Sequence, residues 1–281
     1  MTTTSDDKIV KTAGRGVIYI AFAKVWFLIT GVALGLILPR VFKWSAGSDE
    51  AGQALFGAYG IVFTGVSFIN NTLITGTIQA VSKFTSEDES RAGAVRRTGL
   101  LVQGGIGILL GAFYAAIAGV LAVTWFKSPG LENLMRLSAG IIVAYSCYGV
   151  FIGSFNGMRR FSKQALFDIA FSTTKTVLII GFVVMGFEVL GTVLGFLLTA
   201  ALIAVVAGIA SRSPVNGRFP AKRYLQFDTI LLLYTFLLNL VLMVDLYLLA
   251  GIVPRLASDA GLAPAAAALL NEGRAGQYKA A

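Results

Sequence analysis

The chain contains no histidine and a single cysteine, Cys147, among its 281 residues. The absence of imidazole excludes Ser-His-Asp and Cys-His catalysis and every histidine-based metal site. A lone cysteine excludes an intramolecular disulfide. Charge is also scarce, at 13% of residues, where a soluble domain carries about 25%. No cluster of acids is available for acid–base work, so a membrane enzyme is the least supported class, and neither a cofactor nor a metal is implied. The opening MTTTSDDKIVKTAGR is polar and has neither the core nor the cleavage site of a signal peptide.

Apolar sequence fills the space that charge leaves. Mean hydropathy is +0.78. Seven apolar stretches occupy residues 16–39, 57–80, 100–126, 137–156, 165–186, 189–210 and 229–251. Each approaches or exceeds the ~20 residues a helix needs to cross a ~30 Å hydrocarbon core. Lipid offers no partner to an open backbone, so each stretch is expected to be helical. A barrel would instead show alternating segments of ~10 residues. The expected fold is therefore all-α, a polytopic membrane bundle of about seven helices. Residues 1–15 read as a cytoplasmic tail and 16–210 as a six-helix lobe. Residues 211–226 read as a cytoplasmic linker, and 227–281 as helix seven with the start of a truncated second lobe. The mixed-sign run 82–98 predicts a short surface helix in a cytoplasmic break. Residues 185–188 leave room only for a tight hairpin between helices five and six.

The net charge of +9 is topological. With the N-terminus inside, the inner segments hold Lys8, Lys11, Arg15, Lys83, Arg91, Arg96, Arg97, Arg159, Arg160, Lys163, Arg212, Arg218, Lys222 and Arg223. The opposite side holds Arg40, Lys43, Lys127, Arg136 and Arg255, with Arg274 and Lys279 added if the C-terminal tail lies there. That bias favours a cytoplasmic N-terminus. No basic stripe lies outside these segments, so nucleic acid is not an expected partner.

Few polar groups enter the spans, and each has two readings. Lys24 lies ~12 Å deep and Lys175 ~15 Å deep, at 1.5 Å of rise per residue. They suit either a positive internal cavity for a phosphate or diphosphate, or the blander case of pairing with a carboxylate such as Asp168 or bending to the cytosolic face. Helix two carries Thr64, Ser67, Asn71, Thr75 and Gln79 on one face, with Asn70 beside it. Such a stripe lines a hydrated path or makes interhelical hydrogen bonds. Asp245, near the outer end of helix seven, is an ion-coupling carboxylate or the partner of a neighbouring cation. Asn156, Arg159, Arg160 and Lys163 mark a turn that reads first as a positive-inside anchor. The pairs Gly31/Gly35, Gly107/Gly111 and Gly191/Gly195 allow close helix approach.

Three segments carry a family resemblance. GRGVIYIAFAKVWFLITGVALGLILPRVF with ALFGAYGIVFTGVSFINN resembles the opening of bacterial polysaccharide flippases. FNGMRRFSKQALFDIAFSTTKTVLIIGFVVMGFEVLGTVLGFLLTAAL is similar to their fourth-to-sixth helix region, with its G-x-x-R-F turn. TILLLYTFLLNLVLMVDLYLL resembles helix seven with its aspartate, and AGQYKAA the start of helix eight. The family is the multidrug/oligosaccharidyl-lipid/polysaccharide exporter superfamily. The resemblance implies two six-helix lobes about a central cavity, in the bacterial cytoplasmic membrane. It implies flipping of a lipid-diphosphate-linked oligosaccharide, with the diphosphate near Lys24 and Lys175 and the sugar on Thr64, Ser67, Asn70, Asn71 and Thr75. The expected partners are that substrate, membrane lipids, and a polysaccharide polymerase or glycosyltransferases. An ion-coupled extruder of drugs or metabolites is the alternative within the superfamily, and a non-transporting scaffold of a polysaccharide assembly complex lies outside transport. In length the chain matches the first lobe, helix seven and a stub.

Overall fold

The computed structural model describes the backbone of residues 3–211, 215 and 217–259, and the side chains of 14–211, 215, 217–241, 248 and 252. Among these residues the chain is all-helical. Its seven long helices are α1 (Thr3–Ala46), α2 (Asp49–Glu87), α3 (Ala92–Val120), α4 (Glu132–Gly157), α5 (Phe161–Phe182), α6 (Glu188–Ala210) and α7 (Ala221–Asp259). Six stretches are long and apolar enough to cross a membrane, and the fifth, Phe161–Ala210, comprises both α5 and α6. The chain is thus a multi-pass membrane protein.

Helix ends differ from the expectation because charge marks a membrane edge and not the end of a helix. The N-terminal tail is helical from Thr3, and α1 runs on through Pro39. The break placed at 82–98 holds no separate surface helix. There α2 continues to Glu87, only Asp88 leaves the helical path, and a single turn, Glu89–Arg91, leads into α3. The linker is shorter than 211–226, since α7 starts at Ala221 and the Tyr224 amide donates to the Pro220 carbonyl.

Two turns rest on glycine. Gly47 takes φ +73° between α1 and α2, followed by Ser48, whose hydroxyl accepts from the Ala51 amide. Gly186 takes φ +88° between α5 and α6. The two helices then run antiparallel in close contact. A Cβ on Gly195 would lie 2.7 Å from the Ile179 nitrogen, and one on Gly191 would lie 2.9 Å from the Phe182 Cβ. On α3, Gly111 faces the Ala139 carbonyl of α4 at 3.2 Å from such a Cβ, and Gly107 faces Ser146. Gly31 and Gly35 on α1 face nothing within 4 Å.

The centre of the bundle is α2 with α4. Their most apolar windows are 61% and 67% buried, against 17% for α1. The α2 helix packs on α4, α7 and α1, while α4 also meets α3 and α6, and α5 joins α1 to α6. One apolar core, including Phe42, Ile61, Leu73, Met135, Ile141 and Phe171, fills the middle of the bundle. A smaller one under α7 joins Phe84, Val150, Phe219 and Tyr224.

Candidate functional site

Lys175 sits in mid-α5, with its ammonium 5.0 Å from the ring centre of Phe27 on α1 and 5.4 Å from that of Phe196 on α6. A cation over a desolvated ring gains up to about 2 kcal/mol. Lys175 enters none of the four ion pairs found among the described residues. Its compensation is aromatic.

Lys24 is placed differently. Its Nζ lies 3.7 Å from Asp168 Oδ2. Asp168 therefore pairs with Lys24 across the α1–α5 contact and not with Lys175 on its own helix. It also accepts a hydrogen bond from the Tyr148 hydroxyl at 3.0 Å. The Lys24 side chain is 65% exposed and that of Asp168 13%. A pair with one open end contributes under ~1 kcal/mol. Close by, the Trp26 indole donates to Thr173 Oγ1 at 2.9 Å and fixes the register of α1 on α5.

A chain of rings links these groups to α2. Tyr145 and Tyr148 stack at 5.7 Å, Phe171 lies 5.0 Å from Tyr148, and Phe196 lies 5.9 Å from Phe171. Phe196 in turn stacks on Phe63 of α2 at 5.8 Å, with the rings 8° from parallel. The ring chain thus reaches α2 at Phe63, one residue before Thr64, the first residue of the polar stripe.

The stripe has an unexpected property. Thr64, Ser67 and Asn71 are half-buried, and Thr75 and Gln79 are exposed. None of the five makes a hydrogen bond among the described residues. Polar groups just off the stripe are bonded. Thr72 and Thr77 donate to carbonyls of their own helix, and Ser82 donates to Asn156 Oδ1 of α4 at 3.0 Å. Asn70 points into the core, 3% exposed, with its Oδ1 unpartnered. Asn70 and the stripe therefore have different surroundings. Asp245 lies outside the residues whose side chains are described, as do residues 275–281, read as the start of helix eight.

One polar cluster escaped the sequence reading. Gln103 on α3 donates to Asp228 Oδ2 on α7 at 2.7 Å and reaches the Tyr224 hydroxyl at 3.3 Å. Gln103, Tyr224 and Asp228 are all fully buried. Higher on α7, the Thr235 hydroxyl lies 2.9 Å from the Thr72 carbonyl of α2. These bonds fasten α7 to the six-helix lobe. The signal was the aspartate itself, set one residue before the apolar stretch at 229–251 and so read as part of its polar edge.

No protein-family model matches the chain, and no curated protein does. Solved structures do. A MOP superfamily transporter from Pyrococcus furiosus aligns with a TM-score of 0.64 at 17% identity, over 83% of this chain and 54% of its own. A multidrug resistance MATE family transporter of the same superfamily, in an outward-facing conformation, also aligns at 0.64 and 17% identity, over 94% of this chain and 64% of its own. A eukaryotic MATE transporter aligns at 0.62 and 13% identity, over 96% and 69%. The likeness is one of fold: the chain has the helical-bundle architecture of MATE transporters. It spans 54% and 64% of the length of the first two.

Proposed function

We propose that the chain forms the first lobe and seventh helix of a membrane transporter whose cargo is a lipid-diphosphate-linked oligosaccharide moving outward across the cytoplasmic membrane. The observation that carries this reading is the unbonded stripe of Thr64, Ser67, Asn71, Thr75 and Gln79 on α2. Five hydroxyls and amides in register, with no partner in their own lobe, are chemically matched to the hydroxyls of a sugar. Lys175, a cation with no carboxylate partner among the described residues, supplies charge for the diphosphate. Lys24 adds a second ammonium, which can exchange Asp168 for phosphate because its side chain is open. The MATE-like fold supports transport as the class of activity, since such folds place cargo between two lobes that rock against each other. The prenyl tail stays in lipid, and no bond is made or broken. The positive-inside bias orients the N-terminus toward the cytoplasm.

The test is binding of a purified prenyl-diphosphate oligosaccharide to the chain in lipid nanodiscs, alongside glycan export in cells. Lys175→Ala is expected to weaken binding at least tenfold, and Thr75→Ala with Gln79→Ala to reduce the preference for glycosylated over bare prenyl diphosphate. Unchanged affinity in both variants would overturn the site.

A second reading is an ion-coupled extruder of drugs or metabolites. The intramembrane carboxylate of Asp168, with its Tyr148 hydrogen bond, favours it. It predicts that Asp168→Asn abolishes export of an organic cation and leaves prenyl-diphosphate binding intact.

A further inference from the structure

Away from the α2 stripe, a second site sits where α3 begins and the chain descends into α7. A cavity of about 260 Å³ opens there, with Arg97 and Arg218 at its mouth and Thr98, Leu101, Val102 and Phe219 among its walls. Its frame is fixed. The Thr98 hydroxyl donates to the Phe219 carbonyl at 3.0 Å, and the Arg91 guanidinium donates to the Arg218 carbonyl at 2.7 Å. The two arginine side chains at the mouth have neither a carboxylate nor a hydrogen-bond acceptor among the described residues. Arg223, close by in sequence, is instead paired with Glu87 at 2.9 Å.

Below the charge the surface turns apolar along one line. Leu101 lies one turn beyond Arg97 on the same face of α3 and is 70% exposed. Gly105 follows, with open space around it, and then Ile108, 60% exposed. From Leu101 to Ile108 the helix rises ~10 Å, the length of about eight methylenes. An anion-binding mouth at the membrane edge, continued by an apolar track toward the bilayer centre, has the shape and polarity of one phospholipid. Arginine suits the head, because its planar fork takes two phosphate oxygens at once.

We propose that this cavity binds a glycerophospholipid with a net negative headgroup, its phosphate held by Arg97 and Arg218 and one acyl chain lying along Leu101, Gly105 and Ile108. The bound lipid would brace the junction of α3 with α7. The site requires a spanning bundle and is independent of the cargo and of its direction.

The experiment is native mass spectrometry of the detergent-purified chain with dioleoyl phosphatidylglycerol, phosphatidylethanolamine or phosphatidylcholine. The expected result is a single phosphatidylglycerol retained under collision conditions that strip the other two. R97Q/R218Q is expected to lose that adduct by tenfold or more. R159Q/R160Q removes the same charge from the same edge of the bundle and is expected to keep it. Leu101→Gln, a change at a position 70% exposed, is expected to weaken retention several-fold at an unchanged melting temperature. Equal loss in R159Q/R160Q would mean diffuse attraction to basic loops and would overturn the site. So would complete displacement by millimolar glycerol 3-phosphate, which would leave an anion site with no use for the apolar track.

Discussion

Substituting Gly153 by alanine tests how tightly α4 packs on α2, the helix that carries the polar stripe. A Cβ at Gly153 would lie 2.9 Å from the Ile78 carbonyl oxygen, 2.9 Å from Val81 Cβ and 3.1 Å from Ile78 Cα. Two of those three atoms are backbone and cannot turn aside. Carbon contacts are optimal at about 3.5–4.0 Å. The helices must therefore part locally by roughly half an ångström to one ångström, and overpacking of this kind costs about 1–3 kcal/mol. Alanine itself favours a helix interior over glycine by about 0.5–1 kcal/mol. The balance is a net loss of about 0–2.5 kcal/mol. Gly31→Ala is the control, since a Cβ there meets nothing and only the propensity gain remains. Cys147 provides the assay. It is the chain's one thiol, half-buried, and lies on α4 itself. A dye that fluoresces on reacting with thiol during a thermal ramp therefore reports the opening of the helix in question. At roughly 2–4 °C per kcal/mol, Gly153→Ala should melt a few degrees below the parent and Gly31→Ala at or slightly above it. If Gly153→Ala melted as late as Gly31→Ala, the tight α2–α4 contact would be refuted.

Three further outcomes are expected from the same structure. Gln103→Leu strips the buried Asp228 carboxylate of its amide donor and should destabilise the chain by about 1–3 kcal/mol in detergent unfolding, because a buried acceptor is left alone. Lys24→Met removes an ion pair that is open at its lysine end, and Asp168 keeps the hydrogen bond from Tyr148, so stability should change by under ~1 kcal/mol in the same measurement. Trp26→Phe removes the hydrogen bond to Thr173 and keeps the ring, so it should cost about 1 kcal/mol and raise hydrogen exchange along the α1–α5 contact.

Much of the scaffold was legible because lipid allows so few solutions. Seven apolar stretches gave seven helices, and the short gap at 185–188 gave the hairpin at Gly186. Two of the three glycine pairs meet another helix, while a Cβ at Gly31 or Gly35 would meet nothing within 4 Å among the described residues. What hydropathy could not supply was the true length of the helices. Residues 3–15 and 82–87 are polar enough to leave the membrane and still free of any residue that would stop a helix. Pairing across helices was also hidden. Asp168 and Lys24 are distant in sequence, and their meeting depends on the rotation of α1 against α5, which packing decides. Asp228 was missed for a related reason. A carboxylate at the edge of an apolar run reads as a boundary until a neighbouring helix is seen to cover it.

The fastening of α7 along its first half makes the rest of it a lever. Phe84 contacts the rings of Phe219 and Phe227 at 4.9 and 5.6 Å, Tyr224 and Asp228 are fully enclosed, and Phe236 meets Phe68 of α2 at 5.5 Å. From Phe236 the helix continues to Asp259, a rise of ~35 Å. With its pivot held there, a tilt of 10° would carry the far end through roughly 6 Å, while the anchored turns scarcely move. Small adjustments around Thr235 and Phe236 are thus geometrically amplified at the opposite face of the membrane.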